Sequence, residues 1–499
     1  MDETRVEEAW WPAEVRETHV SVLFFVGDRV YKLKKPVTLD FLDFSTREER
    51  ERVCRRELEL NRRLAPDVYL DVLDVVGSDG EPRDHLLVMR RMPEERRLST
   101  LVEEGRADDC LREVARMVAA FHARATTSAE IAAAGSLEQL RANWESSFAT
   151  MKPFVGPVLD PGVVEHIEQL ARRYLAGRDR LFDARIANGK VRDGHGDLLA
   201  DDVFCLDDGP RILDCIEFDD RLRYGDVLAD VAFLAMDLER VGDRSCGTRF
   251  LAWYREFAGE NYPATLAHHY IAYRAHVRAK VACLRTAQGD VAAGETAQRL
   301  LSLARDHLAS GRVTLALVGG LPGTGKSTLA TALADRLGWT VLRSDELRKD
   351  LAGLGHTART GASYGEGIYA DDATAVTYDA LLQRARSLLE LGEPTILDAS
   401  WSDAQWRTRA ADIARETSSD LIQLRCDLDA GVAAKRLAER ERTGHDPSDA
   451  SGVVAARMAV EFDPWPDAHV IDTARSAESV VDAARAAVDR GHDSASSGV

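Results

Sequence analysis

The chain is 499 residues long, with 45% hydrophobic residues and a formal net charge of −19. This length exceeds what one hydrophobic core usually serves and predicts two to four domains. The acidic balance argues against broad, sequence-independent nucleic-acid binding, which depends on a basic surface. No apolar stretch approaches the length of a membrane span. The acidic first residues do not fit a secretion or transit signal, so we expect a cytoplasmic protein.

Seven cysteines are scattered singly along the chain. No Cys-x-x-Cys pair occurs, and the number of cysteines is odd. We therefore expect free thiols rather than disulfides, and no zinc site.

The first ninety residues predict strands around one long helix. The helix is amphipathic and charged, with Ser45 or Thr46 as its N-terminal cap. A tight turn at Gly27 and Asp28 joins the first two strands into a hairpin. The predicted strands are Val20 to Val26, Arg29 to Lys34, Tyr69 to Val76 and His85 to Met89, and the predicted helix is Ser45 to Leu64.

The rest of the chain changes its pattern twice. From about residue 98 to 188 the pattern is helical, and helices resume after two short strands and continue to about residue 310. From residue 312 onward strands alternate with helices, which predicts a parallel sheet covered by helices on both faces. The predicted strands are Val203 to Leu206, Arg211 to Leu213, Val313 to Val318, Val341 to Arg343, Thr395 to Leu397, Leu421 to Arg425 and Ala468 to Ile471.

A complete phosphate-binding loop follows the strand that begins at Val313. The segment Gly-Leu-Pro-Gly-Thr-Gly-Lys-Ser, residues 320 to 327, lies between an apolar run and a helical pattern. Its backbone N–H groups would surround a phosphate, Lys326 would reach the β- and γ-phosphates, and Ser327 would bind Mg²⁺. The sequence therefore predicts a site for ATP and Mg²⁺. The predicted nucleotide-binding residues are Gly320, Pro322, Gly323, Thr324, Gly325, Lys326, Ser327 and Thr328.

Two neighbouring strand ends carry residues that distinguish a kinase from other nucleotide-binding proteins. The strand ending at Arg343 is followed by Asp345 and Arg348, at the sheet edge where ligands of such folds bind. Asp345 could accept a proton from an attacking hydroxyl, and Arg348 could hold substrate phosphate. The alternative is that Ser344 or Asp345 merely caps a helix. Asp398, at the end of the next apolar strand, is a candidate Mg²⁺ ligand opposite Ser327.

A basic helix and a turn-rich segment follow, at residues 435 to 450. Such a segment could close over the site as a lid, with arginines that neutralise the transferring phosphoryl group. It could equally be a solvated, salt-bridged helix face.

Residues 312 to 490 resemble the P-loop kinases of the gluconate-kinase, chloramphenicol-phosphotransferase and polynucleotide-kinase type. The resemblance implies that Asp345 is the catalytic base and that Arg348 contacts the acceptor. It also implies that Arg440 is the catalytic lid arginine, with Lys326 acting on the phosphates.

A separate set of carboxylates lies between residues 190 and 237. Asp197 follows Gly-His-Gly, and Asp202 and Asp214 stand at the next loop and strand ends. Phosphoryl transfer needs one group to orient the acceptor hydroxyl and others to hold metal against the phosphates. A lysine must balance these charges, and strand alternation places Lys32 and Lys34 on one face, so that either one could reach the α- and β-phosphates. Glu57, in the long helix, is the best candidate to hold that lysine.

Residues 15 to 290 resemble the aminoglycoside/choline-phosphotransferase-like kinases. The resemblance implies Asp197 as the catalytic aspartate and Asp214 as a metal ligand. This chain has Leu199 and Asp202 where the family has histidine and asparagine. Asp202 can still bind Mg²⁺, but the extra carboxylate adds repulsion that could raise a pKa in the metal-free site.

The whole chain resembles the actinobacterial two-domain bifunctional aminoglycoside phosphotransferase/ATP-binding proteins. We expect an α/β and α+β protein with an N-terminal bilobal, protein-kinase-like domain and a C-terminal P-loop NTPase domain. The expected boundaries are 1–310 (lobes at about 15–92 and 93–310), 311–490 and a disordered tail at 491–499.

The leading hypothesis is an ATP-dependent phosphotransferase that acts on a hydroxyl of a small metabolite or nucleotide, with the P-loop domain as the surest active site. A nucleotide-sensing regulatory protein with a pseudokinase first domain is the alternative, because its second domain could use ATP only to drive closure. A 5′-hydroxyl polynucleotide kinase is the third hypothesis, which the acidic composition disfavours. Loss of Asp345 would distinguish the first two, since a sensor tolerates it and a kinase does not.

Overall fold

The computed structural model describes residues 14–18, 20–39, 42–355, 367–443 and 452–496. Its chain divides into two compact units, each built from several separate stretches of sequence. The sequence predicts one boundary near residue 310, whereas these units are defined by contacts between Cα atoms. The expected domain boundary stays a prediction. Unit 1 comprises Met1–Asn143, Ala184–Tyr262 and Tyr270–Leu300, and unit 2 comprises Trp144–Asp183, Pro263–His269 and Leu301–Val499.

Unit 1 begins with an antiparallel sheet of five strands in the order β1-β2-β3-β7-β6. The four strands predicted for this region are found, and β7 is longer than expected. β1 and the short pair β4 and β5 were not predicted, because their few residues mix polar and apolar side chains without a clear apolar run. The bounds are β1 Glu14–Glu17, β2 Ser21–Val26, β3 Arg29–Lys34, β4 Thr38–Leu39, β5 Leu42–Asp43, α1 Arg47–Asn61, β6 Tyr69–Val76 and β7 Pro82–Arg90.

Helix α1 packs one face against this sheet. Thr46 caps it, as predicted, by accepting a hydrogen bond from the backbone N–H of Glu49 at 3.2 Å. Its buried residues recur every three or four positions, which defines a single inward stripe. That stripe carries Glu57 toward β3. The buried residues are Arg50, Val53, Cys54, Glu57, Leu60 and Asn61.

The middle of the chain is helical, then has four short strands, and then is helical again. Two of these strands, β9 Val203–Leu206 and β10 Gly209–Ile212, were predicted, whereas β8 and β11 were not. β8 pairs with β11, and β9 pairs with β10, both antiparallel. The bounds are α2 Leu98–Glu103, α3 Asp108–Arg124, α4 Ala129–Ala133, α5 Leu137–Met151, α6 Pro161–Leu175, α7 Asp179–Ala187, β8 Val191–Asp193, β9 Val203–Leu206, β10 Gly209–Ile212, β11 Tyr224–Asp226, α8 Val227–Val241, α9 Arg244–Ala258, α10 Ala264–Ala287 and α11 Ala292–Ser310.

The expectation that all cysteines are free thiols is wrong for one pair. Cys110, in α3, and Cys205, in β9, form a disulfide across 95 residues, with their Cα atoms 5.9 Å apart. Neither residue carries a sequence signal for pairing, since the two meet only because α3 packs beside this part of the fold. The free cysteines are Cys54, Cys215, Cys246, Cys283 and Cys426.

Unit 2 contains a parallel sheet of five strands in the order β13-β14-β12-β15-β16. β12 lies at the centre and is buried along its whole length, which explains its unbroken apolar sequence. All five predicted strands are found. The bounds are β12 Thr314–Gly319, α12 Lys326–Leu337, β13 Thr340–Arg343, α13 Ser344–Leu351, α14 Asp371–Glu390, β14 Thr395–Asp398, α15 Ala404–Glu416, β15 Asp420–Asp427, α16 Ala430–Thr443, α17 Gly452–Glu461, β16 His469–Asp472 and α18 Ala477–Ser496.

Helix α18 includes residues 491–496, which the composition predicted to be disordered. Two contacts explain the difference. The Arg312 guanidinium donates to the His492 carbonyl at 2.8 Å, and the Thr314 hydroxyl lies 3.0 Å from the His492 ring nitrogen Nε2. The end of the helix therefore contacts the start of β12. A prediction of disorder from a serine- and glycine-rich composition does not take such contacts into account.

No described helix has both the length and the apolar composition needed to cross a lipid bilayer.

Candidate functional sites

The first candidate site is centred on Lys32 of β3. Its ammonium nitrogen lies 2.7 Å from Glu57 Oε1 and 3.1 Å from Asp214 Oδ1. The Glu57 side chain is fully buried, whereas the Asp214 side chain is 53% exposed. Although burial acts in the opposite direction, Asp214 and Glu57 raise the pKa of Lys32 well above its usual value. Lys32 therefore remains a cation that joins the buried Glu57 of α1 to the accessible carboxylate of Asp214.

Lys34 occupies a different position, although both lysines lie on one face of β3. Its ammonium nitrogen lies 2.7 Å from Glu57 Oε2 and 2.5 Å from Glu217 Oε1. The Lys34 side chain is 1% exposed. Sequence alternation left both lysines as candidates for phosphate binding. The structure brings Lys32 to Asp214 and places Lys34 behind it, in a buried row of alternating charges.

Asp214 adopts a left-handed backbone conformation, with φ at +64°. This conformation is uncommon outside glycine and is typical of functional turns. Its backbone N–H donates to the Tyr69 hydroxyl at 3.1 Å, which helps to hold the turn. The Lys32 ammonium holds the pKa of the Asp214 carboxyl below its usual value. Asp214 is therefore an ionised, oriented carboxylate.

Asp202 shows the repulsion expected from an extra carboxylate. Burial, together with the negative charges of Asp214 and Asp197, raises the pKa of Asp202 well above its usual range. A divalent cation between Asp202 and Asp214 would relieve that repulsion, so this pair fits Mg²⁺. Within the described residues, no group of three or more histidine, cysteine or acidic side chains could hold a metal ion. Phosphate oxygens and water would have to complete the coordination, as is usual for Mg²⁺.

Asp197 lies on a loop that is fixed by Asp230. One Asp230 oxygen accepts from the Gly196 N–H at 2.9 Å, and the other accepts from the His195 N–H at 2.8 Å. The His122 ring nitrogen Nε2 lies 3.0 Å from the same carboxylate. The sequence assigned no role to Asp230 or to His122, because neither shares a motif with the loop that it holds.

The environment of Asp197 differs from that of an ordinary surface aspartate. Burial raises the pKa of its carboxyl to about 6. The Arg278 guanidinium lies 3.9 Å from Asp197 Oδ1 and acts against that increase. A carboxylate with a pKa near neutral is suited to accept a proton from a hydroxyl. Leu199, at the family's histidine position, is buried and cannot contribute to this chemistry.

The second candidate site is the phosphate-binding loop of unit 2, which joins β12 to α12. Gly320, Gly323 and Gly325 have φ values of +130°, +80° and +89°, which L side chains rarely adopt. A Cβ atom on Gly320 would lie 2.6 Å from the Cys426 carbonyl oxygen, and one on Gly323 would lie 2.8 Å from that of Ala433. The glycines thus leave a backbone cradle that side chains would close, which fits a bound phosphate.

The structure brings Lys326, Ser327 and Asp398 together at the mouth of this loop. The Lys326 ammonium donates to the Leu321 carbonyl at 3.2 Å. Burial raises the pKa of Asp398, while the Lys326 charge and a hydrogen bond with the Ser327 side chain oppose that rise. A hydroxyl and a carboxylate in contact beside a lysine form a donor set that fits Mg²⁺ and phosphate.

Asp345 and Arg348 lie on α13, and their surroundings differ. The Asp345 charge contributes to raising the Asp398 pKa, so the two carboxylates face the same region. Arg348 is buried, and its guanidinium donates to the Ile368 carbonyl at 2.8 Å and to the Thr374 hydroxyl at 3.1 Å. Asp345, the predicted base, thus lies near the phosphate-binding loop. Arg348, the predicted substrate-binding residue, already donates hydrogen bonds to other residues of unit 2.

The predicted lid lies mostly outside the described part of the molecule. The backbone of Arg440 belongs to α16, but its side chain and residues 444–451 are not described. Arg436, one turn earlier, donates to the Thr473 carbonyl at 3.2 Å. Its Nη1 atom lies 3.6 Å from the position that a Cβ atom on Gly325 would occupy. This arginine beside the loop was part of the predicted basic helix but was not selected.

An aromatic group beside Asp398 was also missed. The Tyr378 hydroxyl lies 3.1 Å from the Ser400 hydroxyl, and its ring stacks on Trp406 with centroids 5.0 Å apart. Trp401 is buried with φ at +54° and packs edge-on against Tyr378. The Ser-Trp-Ser segment at residues 400–402, which follows Asp398 and Ala399, is the signal that could have indicated these residues.

Both halves of the chain match known protein families. Residues 27–269 match the phosphotransferase enzyme family, and residues 315–465 match a family described as an AAA domain. The chain is 41% identical over 469 residues to the uncharacterized protein Rv2004c of Mycobacterium tuberculosis, with 94% of each chain covered.

Solved structures show likeness in fold to each half. A choline/ethanolamine kinase family protein from Mesorhizobium loti is 17% identical and matches over 60% of this chain and 92% of that one, with a TM-score of 0.40. A gluconokinase from Sinorhizobium meliloti is 19% identical and matches over 36% of this chain and 94% of that one, with a TM-score of 0.28.

The class of protein that these folds and matches define is a kinase-type phosphotransferase, as the sequence predicted. The predicted fold class is likewise confirmed, with a kinase-like fold of the aminoglycoside-phosphotransferase type followed by a P-loop kinase fold. The chain belongs to the family of two-domain proteins that includes the mycobacterial relative.

Proposed function

We propose that the protein is an ATP- and Mg²⁺-dependent phosphotransferase in which the P-loop site transfers a γ-phosphoryl group to a hydroxyl of a small metabolite or nucleotide. The observation that carries this proposal is the convergence of Lys326, Ser327, Asp398 and Asp345 at one edge of the parallel sheet. Use of ATP would place the protein in the cytoplasm.

The residues of this site divide the work between nucleotide and acceptor. Lys326 and the loop N–H groups would bind the phosphates, while Ser327 and Asp398 would hold Mg²⁺, which neutralises charge on the phosphates. Asp345 would accept the proton of the acceptor hydroxyl as the new oxygen–phosphorus bond forms and the bond to the β–γ bridging oxygen breaks. Arg436 stands beside the loop, where a cation stabilises charge on the transferring group.

Unit 1 is a second candidate phosphotransfer site, supported by one specific observation. Lys32 contacts both Glu57 and Asp214, which is the arrangement that an active kinase needs to hold phosphates and metal in register. We therefore extend the proposal to a second transfer reaction at Asp197.

The test is phosphate gain by pooled metabolites, measured by mass spectrometry with ATP and Mg²⁺. Wild type is compared with Lys326→Ala, Asp345→Asn and Asp197→Ala, and Asp335→Asn, on the exposed face of α12, serves as the matched control. We expect one product that disappears with Lys326→Ala and with Asp345→Asn, and persists with Asp335→Asn.

Three other outcomes change the assignment. If the Asp345→Asn protein still forms the product and the Lys326→Ala protein does not, the assignment of Asp345 as the base is wrong. Tight ATP binding without any product favours a nucleotide-sensing protein. Phosphate gain only by 5′-hydroxyl oligonucleotides, added as a separate pool, makes the P-loop site a polynucleotide kinase.

A further inference from the structure

Two arginines of α10 lie beside Asp197 in unit 1. Arg274 and Arg278 are one helical turn apart and so share a face of the helix. The Arg278 guanidinium lies 3.9 Å from Asp197 Oδ1, and the two side chains are 35% and 32% exposed. Arg274 donates to the Ala229 carbonyl at 3.0 Å, and its guanidinium lies over the Phe233 ring at 4.7 Å. Both positive charges lower the pKa of Asp197 against the effect of burial, so both act at that carboxylate.

The carboxylates around this position already have partners. On α8, Asp230 accepts from the loop N–H groups of His195 and Gly196, and Asp237 contacts Arg240 at 2.7 Å and the Ala200 N–H at 2.9 Å. The α10 residues assigned to unit 1, 270–287, contain no aspartate or glutamate.

We propose that the acceptor phosphorylated at Asp197 is an anionic hydroxy compound, whose carboxylate or phosphate ester is held by Arg278 with support from Arg274. The proposal rests on phosphoryl transfer in unit 1. Asp197 takes the proton of the acceptor hydroxyl, the hydroxyl oxygen bonds to the γ-phosphorus, and the bond to the β–γ bridging oxygen breaks to release ADP. The guanidinium groups keep their contact with the anionic group during the transfer and take no part in the bonds that form or break.

The charge pattern discriminates against the opposite class of acceptor. An aminoglycoside or a quaternary amine would bring positive charge toward two guanidinium groups and would compete with Arg278 for Asp197. A carboxylate or phosphate ester instead matches the planar fork of an arginine, with two parallel hydrogen bonds. A fold known for cationic acceptors thus carries a cationic acceptor surface in this chain.

The test uses the full chain with Lys326→Ala, which silences the P-loop site. Four pools of hydroxy compounds are supplied with ATP and Mg²⁺, bearing a carboxylate, a phosphate ester, an ammonium group or no charge. We expect an Asp197-dependent product in the carboxylate or the phosphate pool, and which of the two it is identifies the anionic group. A product confined to the ammonium or uncharged pool overturns the anionic acceptor and leaves unit 1 a kinase. No product from any pool overturns phosphoryl transfer in unit 1 and this proposal with it.

Variants of Arg278 test the role of its charge once the product is known. At about pH 8, where Asp197 is ionised with or without the Arg278 charge, Arg278→Gln should raise the acceptor KM at least tenfold and should reduce transfer to the acceptor far more than transfer to water. Arg278→Glu should raise the acceptor KM further. Arg285→Gln, on the same helix but paired with Asp290 at 2.6 Å, is the matched control and should have no effect. An equal loss of transfer to water in Arg278→Gln would show that Arg278 acts on the phosphoryl group and would overturn its assignment to the acceptor.

Discussion

The Lys32 ammonium lies 3.1 Å from Asp214 Oδ1 although 182 residues separate the two in sequence. Lys32 belongs to the first sheet and Asp214 to the turn after β10, so their contact joins the two lobes of the kinase-like fold. Glu57 holds the other side of the same ammonium at 2.7 Å. Lys34 continues the row to Glu217, so Lys32 is surrounded by charges that fix its position.

This row predicts different effects for the two lysines. Lys32→Met should reduce phosphoryl transfer in unit 1 by at least about a hundredfold, because it removes a cation aimed at the phosphates. Lys34→Met should instead lower the free energy of unfolding of unit 1 by about 3–5 kcal/mol, because it leaves buried Glu57 and Glu217 short of a partner. Initial rates and urea unfolding measure the two effects.

The matched control is the double variant Lys34→Met with Glu217→Gln. Since it removes the unpaired charge together with the lysine, it should recover part of the lost stability. Equal losses of activity in Lys32→Met and Lys34→Met, with no loss of stability in either, would contradict the assignment of a buried positioning role to Lys34.

The pKa of Asp197 sets the pH dependence of the unit 1 reaction. A general base must be ionised, and burial raises this pKa to about 6. kcat/KM should therefore fall about tenfold per pH unit below pH 6, whereas an ordinary aspartate would sustain the rate to about pH 4. Arg278→Gln removes a charge that lowers this pKa, so it should move the acidic limb to higher pH. A pH–rate profile in Lys326→Ala protein checks both points, and a limb near pH 4 would contradict them.

Gly323 tests the backbone cradle of the P-loop. Alanine there would adopt φ near +80° and place its Cβ 2.8 Å from the Ala433 carbonyl oxygen. The left-handed conformation alone costs about 1–2 kcal/mol, so we expect ATP affinity in unit 2 to fall about tenfold or more. Titration calorimetry with a Lys32→Met background, which leaves one nucleotide site, measures this change.

Gly338→Ala is the control for this substitution. Gly338 also has positive φ, at +70°, but nothing lies within 4 Å of the position its Cβ would take. It should lower stability by about 1 kcal/mol and leave ATP affinity unchanged. Equal affinities for the two variants would show that the shape of the cradle does not matter for binding.

The Cys110–Cys205 bridge predicts the number of reactive thiols. Of the seven cysteines in the chain, five are free in the structure. Protein denatured without reductant should therefore react with five equivalents of a thiol reagent, and with seven after reduction. Seven thiols before reduction would show that the bridge is absent in solution.

Much of the fold was predictable because it depends on local pattern. The period-two strands of the first sheet, the Thr46 cap and the glycine-rich loop each carry their signal within a few residues. Asp398 was predicted for the same reason, since carboxyl ends of parallel strands meet at one edge of a sheet. The sequence could not choose between Lys32 and Lys34, because alternation puts both on one face and only the position of Asp214 separates them.

The contacts that were missed join residues far apart in the chain. Arg278 reaches Asp197 from another helix, His122 supports the Asp230 carboxylate, and Cys110 meets Cys205 across 95 residues. None of these residues belongs to a motif, so pairing them requires knowledge of which helices pack together. The sequence therefore predicts the motif residues of a site but not the residues from distant helices that surround them.

Neither of the two compact units is formed by one continuous stretch of the chain. The chain passes between units five times, at residues 143/144, 183/184, 262/263, 269/270 and 300/301. Residues from before position 270 make buried contacts in unit 2. Arg178 donates to the Thr417 carbonyl and Thr265 donates to the Gly392 carbonyl, each at 2.6 Å. A chain cut near residue 310 would leave unit 2 without residues 144–183 and 263–269, so a single cut cannot yield either unit whole.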